Sequence, residues 1–265
     1  WSVTGVQTCA LPILRPARRA SRSLALLDQR PSSALDLARE VQRRQPRAAL
    51  GWQLEGEIAM HQGDAQAGAA AFRKALANEP GTEVAMQLYV ALQRAGHAAE
   101  ASQHARSWLQ SHPQDLAFVS LMGEQAMAAG DWAAAETHYR QALKLQPDSP
   151  MVLNNLAYTL LQRKDTGALA MALRAERAAP FVPSILDTLA QAYAAANQIG
   201  KAVEWQTRAV EMAPRSAEFR LRLARLHLAA GNRSKAREEL QRLERQGGGV
   251  VPPDELQKLM RQAQG

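Results

Sequence analysis

From Ser33 to Leu243 the chain repeats one pattern: stretches in which apolar and small residues recur every three or four positions, separated by brief polar turns. That recurrence puts the apolar side chains on one face of an α-helix. The stretch LAFVSLMGEQAMAAGDWAAAETHYRQALKLQPD, from Leu116 to Asp148, shows two such helices. Trp132, Ala135, Tyr139 and Ala142 form the buried stripe of the second helix, and Gly130-Asp131 forms the turn before it. The glycine gives the turn conformational freedom, and Asp131 is placed to cap the following helix. Gly123 stands where the two helices cross closely, so a side chain there would push them apart.

Prolines mark the period of this pattern. Pro46, Pro80, Pro113, Pro147, Pro180 and Pro214 are separated by 34, 33, 34, 33 and 34 residues. Each closes the second helix of a unit, where a missing N–H costs least and further helix is blocked. Other positions keep step with them: Trp52, Gly56, Gly63-Asp64, Phe72 and Ala75; then Leu189, Ala190, Tyr193, Ala202 and Ala209; then Leu223, Ala224, Gly231-Asn232, Ala236 and Leu243. A period of 34 residues with two helices per unit predicts a stack of hairpins, because one hairpin cannot bury its own apolar face.

This pattern resembles the tetratricopeptide repeat family over roughly residues 19–245. The resemblance implies an all-α, right-handed superhelical solenoid of antiparallel helix pairs, with about seven repeats over 14–245, the first incomplete or degenerate. The leader 1–13 reads as non-native or disordered, 246–253 as a Gly/Pro linker and 254–265 as a short capping helix with Leu256, Leu259 and Met260 on one side. Departures from the family pattern are few. Glu55 stands where the family has leucine, Gly68 replaces a small alanine, and the fifth unit reads as one residue short in its turn at Arg163-Lys164-Asp165.

In this family the first helix of each unit lines a concave groove. The resemblance therefore assigns groove positions to Gln53, Met86, Ser120, Asn154, Asp187 and Leu221 at the fifth places of successive units. Glu57, Val90, Glu124, Tyr158, Gln191 and Arg225 take the ninth places. Amides, acids, one aromatic and soft apolar residues suit a peptide or protein surface better than a single strongly charged ligand. The Lys-with-Asn clamp that some relatives use for chaperone carboxylates is absent from every unit.

Composition narrows the remaining classes. Abundant alanine and an aromatic content of 5% favour helix over sheet. The net charge of +7 is concentrated at the ends. Residues 1–46 carry 8 Lys/Arg against 3 Asp/Glu and residues 215–265 carry 11 against 6, while 47–214 carry 13 against 16. That distribution lacks the continuous basic stripe with stacking aromatics of a nucleic-acid binder. No run of 18 apolar residues predicts a membrane span. A lone cysteine, Cys9, excludes an internal disulfide and a cysteine-rich metal site.

No residues assemble into a catalytic, cofactor or metal motif. The six histidines, His61, His97, His104, His112, His138 and His227, are scattered between units and read as solvated or satisfied. Phosphate-loop, dinucleotide and nucleophile-elbow patterns are missing. Glu238-Glu239 and Glu55/Glu57 read as solvated or capping carboxylates. Trp52, Trp132 and Trp205 read as core, whereas Trp108 takes a place where alanine is usual, pointing to a local rearrangement or an exposed anchor.

Within the family, VLNNLAYTLLQRKDTGALAMALRAERAAP followed by SILDTLAQAYAAANQIGKAVEWQTRAVEMAP is similar to the C-terminal part of the tetratricopeptide lipoprotein that accompanies exosortase and polymer-export systems in Gram-negative bacteria. Ala190-Gln191 replaces the Gly-Trp of that family. The resemblance implies a fragment of a longer, exported, membrane-associated protein engaged in exopolysaccharide or surface-protein assembly. A cytoplasmic adaptor and the regulatory domain of a larger enzyme are the other readings.

Overall fold

A computed structural model describes residues 31–246 and 252–264. The leader 1–13 with Cys9, the first helix of the first unit and residues 247–251 of the expected 246–253 linker lie outside the described residues. Among the described residues the fold is all-α, with fourteen helices and no strand. No helix there is long and apolar enough to cross a membrane. The chain divides into two compact units, one ending at Met122 and the other starting at Gly123.

The first unit holds α1 (Pro31–Arg44), α2 (Leu50–His61), α3 (Ala65–Asn78), α4 (Thr82–Arg94), α5 (Ala98–Ser111) and the first half of α6 (Leu116–Ala128). α2 with α3 and α4 with α5 are antiparallel hairpins. Gly63 turns the first of them at φ 81°, a left-handed conformation that a side chain would strain. Asp64 next to it accepts the Ala67 N–H at 2.9 Å, capping α3. Across the hairpin, a Cβ at Gly56 would lie 2.5 Å from the Phe72 ring, so the missing side chain is what lets the ring lie against the helix. The next hairpin reverses the volumes, with buried Tyr89 in the place of Gly56 and buried Ala105 in the place of Phe72.

Trp108 is an internal anchor of this unit. It is 6% exposed, and its indole N–H donates to Asp115 Oδ2 at 2.8 Å. The ring stacks on His112 at 3.9 Å between centroids and lies 6.0 Å from Phe118. Of the two expectations for Trp108, local rearrangement is realised and the exposed anchor is not, because the half-buried Asp115 carboxylate satisfies the indole N–H.

The second unit holds the rest of α6, then α7 (Trp132–Leu145), α8 (Pro150–Gln162), α9 (Ala168–Ala178), α10 (Pro183–Ala195), α11 (Ile199–Met212), α12 (Ala217–Ala229), α13 (Arg233–Arg245) and α14 (Pro253–Gln264). A Cβ at Gly123 would lie 2.6 Å from the Tyr139 ring, so the crossing read from the sequence is a ring laid on a glycine. Asp131 caps α7 by accepting the Ala134 N–H at 3.0 Å.

The fifth unit is shortened at a different point from the one expected. Its turn is whole: Asp165 N–H bonds to Leu160 C=O at 2.9 Å, as Asp131 N–H bonds to Ala126 C=O, and Lys164 takes φ 56° where Gly130 has 74°. The missing residue comes from the start of α9. That helix begins only at Ala168 and has 11 residues where α7 has 14. Asp165 Oδ1 accordingly accepts from Gly167 N–H at 2.7 Å, two residues on instead of three.

α14 covers the end of this unit. Buried Leu259 and Ala263 pack with Leu240, Ala236 and Ala224, and Arg237 donates to the Ala263 carbonyl at 2.7 Å. α12 and α13 also share an ion pair whose side chains are 7% and 10% exposed: Arg220 Nη1 to Glu239 Oε2 at 2.5 Å. Arg242 also bonds Glu239, at 2.8 Å. Glu239 is thus a buried structural carboxylate and not the solvated residue expected, because α12 supplies a guanidinium directly against it.

Candidate functional site on the first-helix faces

The groove positions assigned from the sequence lie on the first helices of the hairpins, and each unit presents its own set. In the first unit, Gln53, Glu57, Met86 and Val90 are half-buried on α2 and α4. Glu57 accepts from Gln87 Nε2 at 2.9 Å. Burial pushes the Glu57 carboxyl above its ordinary range and Glu83 adds to this, while hydrogen bonds from Gln87 and Gln53 pull it back. Met86 and Val90 pack against the core of the unit. Ser120 on α6 is buried, as are Asn154 and Asp187 at the matching places of the later repeats.

The second unit brings more groups together. Asp187 on α10 is 5% exposed and accepts three hydrogen bonds. Gln191 Nε2 reaches Oδ2 at 2.8 Å, and Gln206 Nε2 and Arg222 Nε reach Oδ1 at 2.7 and 2.8 Å. Burying a carboxylate costs several kcal/mol, which these donors offset. Arg222 also bonds Glu218, one turn earlier on α12, at 2.9 Å. Burial raises Tyr158 on α8 above the ordinary phenol range, and Arg222, Glu218 and Asp187 all lie near enough to act on it. One face therefore carries Tyr158, Asp187, Gln191, Glu218 and Arg222 from three successive first helices. Trp132 stands edge-on to Tyr158 with centroids 6.2 Å apart.

Two of the assigned residues behave differently from expectation. Leu221 packs toward α14, and Arg225 is ion-paired with Glu255 of that helix, so both are engaged by the covering helix. Asn154 is 5% exposed, and its Oδ1 has no hydrogen-bond partner. Glu124 likewise has a buried Oε1 without a partner, and burial raises its pKa.

Three contributors escaped the sequence reading. Glu218 and Arg222 are spaced for a helical i,i+4 pair, which was the available signal. Gln206 occupies the place held by Phe72 and Tyr139 in other units; a polar residue at an aromatic core place was the clue. The histidines also need correction, since His138 and His227 each bury an Nδ1 without a partner. Trp52, Trp132 and Trp205 are half-buried, with Lys74 over the Trp52 ring and Arg208 over the Trp205 ring. Among the described residues no cluster of His, Cys, Asp and Glu could hold a metal ion.

Comparison with known proteins places this geometry in a family. Tetratricopeptide repeat profiles match residues 17–82 and 121–183, and a second tetratricopeptide profile matches 193–262. A curated TPR repeat-containing protein of Pseudomonas aeruginosa is 31% identical over 122 residues, covering 44% of this chain. The match spans only 20% of that protein's length. Among solved structures, the APC/C hetero-tetramer Cut9–Hcn1 aligns with a TM-score of 0.64 at 16% identity, over 94% of this chain and 50% of that one. The C-terminal part of a tetratricopeptide protein from Cytophaga hutchinsonii gives 0.66 at 12% identity, over 91% and 98%. PilF of Pseudomonas aeruginosa gives 0.62 at 20% identity, over 86% and 98%. At these identities the structures speak for the fold alone, and the profiles carry the family assignment: the chain belongs to the tetratricopeptide repeat family.

Proposed function

We propose that this chain is a non-catalytic scaffold that receives a peptide or protein segment on the first-helix face of its second unit. Tetratricopeptide repeats are protein–protein interaction scaffolds, so the question is which face is used. The observation that carries the choice is the fixed polar array around Asp187. Gln191 and Arg222 are held by hydrogen bonds before any partner arrives. Groups already held in place lose little freedom on binding, which lowers the cost of association. Half-buried Tyr158 beside them supplies aromatic contact area of the kind that dominates interfaces.

The test replaces Tyr158 and Gln191 by alanine and leaves Asp187 in place, because Asp187 also holds the fold together. The double variant is expected to keep its helical circular dichroism and to lose partner capture. Equal capture by variant and parent contradicts the proposal.

The same proposal extends to the setting. The partner belongs to a surface-polymer export or assembly system, a reading supported by the sequence from Val152 to Pro214 with its NNLA and LDTLAQAYAAANQIGKA phrases. Co-fractionation of the full-length protein with export components in the membrane fraction is the expected result. A full-length protein confined to the cytosol favours the adaptor reading instead.

A further inference from the structure

The charges on the first-helix face of the second unit are unequal. Glu124, Asp187 and Glu218 contribute three carboxylates there, and Arg222 is spent on two of them. Arg225 is occupied by Glu255. α8, between α6 and α10, carries no charged residue. Glu124 belongs to the same neighbourhood as α8, since it lies near the Tyr139 hydroxyl to which Asn155 of α8 donates at 3.4 Å.

The unfilled hydrogen-bonding capacity has the same sense. Asn154 is more than nine-tenths buried, stands one helical turn before Tyr158 and so shares its face, and leaves Oδ1 without a donor. Glu124 leaves Oε1 without a donor. Buried acceptors without donors are rare because each forfeits its hydration, and a ligand that brings N–H groups recovers that loss. Burial also raises Glu124 and Glu218, and a cation beside them offsets it.

Resting on the reading that this face is the docking face, we infer that its occupant is a basic, extended peptide segment that sets one lysine or arginine beside Glu124 and another beside Glu218, and runs over Asn154 and Tyr158 of α8 between them. Charge complementarity selects the class: an acidic segment meets three carboxylates whose one guanidinium is already bound, and like charges brought together at an interface are strongly disfavoured. Asn154 adds an acceptor suited to an ammonium, a guanidinium or a main-chain N–H.

The experiment titrates the full chain, at low ionic strength, with fluorescein-labelled alternating Lys-Ala and Glu-Ala peptides of equal length. Four proteins are compared: the parent, Glu124→Gln, Glu218→Gln and Tyr158→Ala. The Lys-Ala peptide is expected to bind at least about tenfold tighter than the Glu-Ala peptide. Each Gln variant, isosteric and without its charge, is expected to weaken Lys-Ala binding by roughly tenfold, the loss of one charge-assisted contact. A Glu-Ala peptide that binds as tightly, in a manner lost in Tyr158→Ala, overturns the basic class and leaves the face standing. Lys-Ala binding indifferent to all three substitutions overturns class and face together. No binding of the Lys-Ala peptide to the parent overturns the basic class.

Discussion

The two units use one repeat frame and fill it with different chemistry. In the first, the place facing the small residue of the first helix is an aromatic ring, Phe72 on Gly56, and the first-helix face above it holds loosely bonded Glu57 with Gln87. The second unit begins the same way, with Tyr139 on Gly123, but in its hairpin of α10 and α11 the aromatic is replaced by Gln206. Its amide passes through the hairpin to reach Asp187 at 2.7 Å and the Phe219 carbonyl at 3.1 Å. A place filled elsewhere by an aromatic ring thus becomes the support of a polar array. Packing positions and groove positions are coupled through the hairpin, and a polar residue in the core can be read as a statement about the face above it.

The two units differ most in what removal of one carboxylate does, and Asp187 is the extreme case. Asp187→Ala strands Gln206 and the partly buried Arg222, and is expected to cost about 3–5 kcal/mol in chemical denaturation. Glu57→Ala in the first unit removes a half-buried carboxylate bonded only to the uncharged amides of Gln87 and Gln53, and is expected to cost about 1 kcal/mol. Equal losses would erase the distinction between the two faces.

Next in size, Gly123→Leu and Gly56→Leu force each ring off its helix and are each expected to cost roughly 2–4 kcal/mol. An unchanged melting temperature in either variant would contradict the ring-on-glycine packing in that unit.

The smallest effect is on pH dependence. Burial lowers His104 in the first unit and His138 and His227 in the second below the ordinary 6.5. Their unfolded forms take up protons first, so stability is lost as pH falls from 6.5 through the folded values. Raised Glu57, Glu124 and Glu218 have the opposite sign: their contribution is present below 4.5 and is lost as pH rises through their folded values. Changing the three histidines to glutamine is expected to remove the acid-side loss and leave stability rising as pH falls toward 4.5. Unaltered acid-side loss in the triple variant would place its cause elsewhere.

The sequence made the frame legible because proline, glycine and capping aspartate act within a few residues of where they stand. Gly63, Asp64, Gly123 and Asp131 could each be understood from their neighbours alone. Trp108 could not, because its meaning depended on Asp115 arriving beside it from the next loop. Shortening of the fifth unit was visible as a count, yet its location needed the observation that Lys164 tolerates the left-handed turn and α9 does not start early. The face was half legible. Repeat places identified Tyr158, Asp187 and Gln191, but the bond between Asp187 and Arg222 spans 35 residues and depends on the rotational phase of α12 against α10. The covering of Leu221 and Arg225 by α14 likewise follows from packing that no local spacing encodes.

On the proposed function, partners are held on the first-helix face of the second unit. A photo-crosslinking amino acid at position 158 or 191 tests it directly against the same probe at the exposed second-helix residues Thr137 and Glu204. In cells making the full-length protein, a crosslinked protein partner is expected from 158 and 191 and none from 137 and 204. Crosslinks from 137 and 204 with none from 158 and 191 would contradict it.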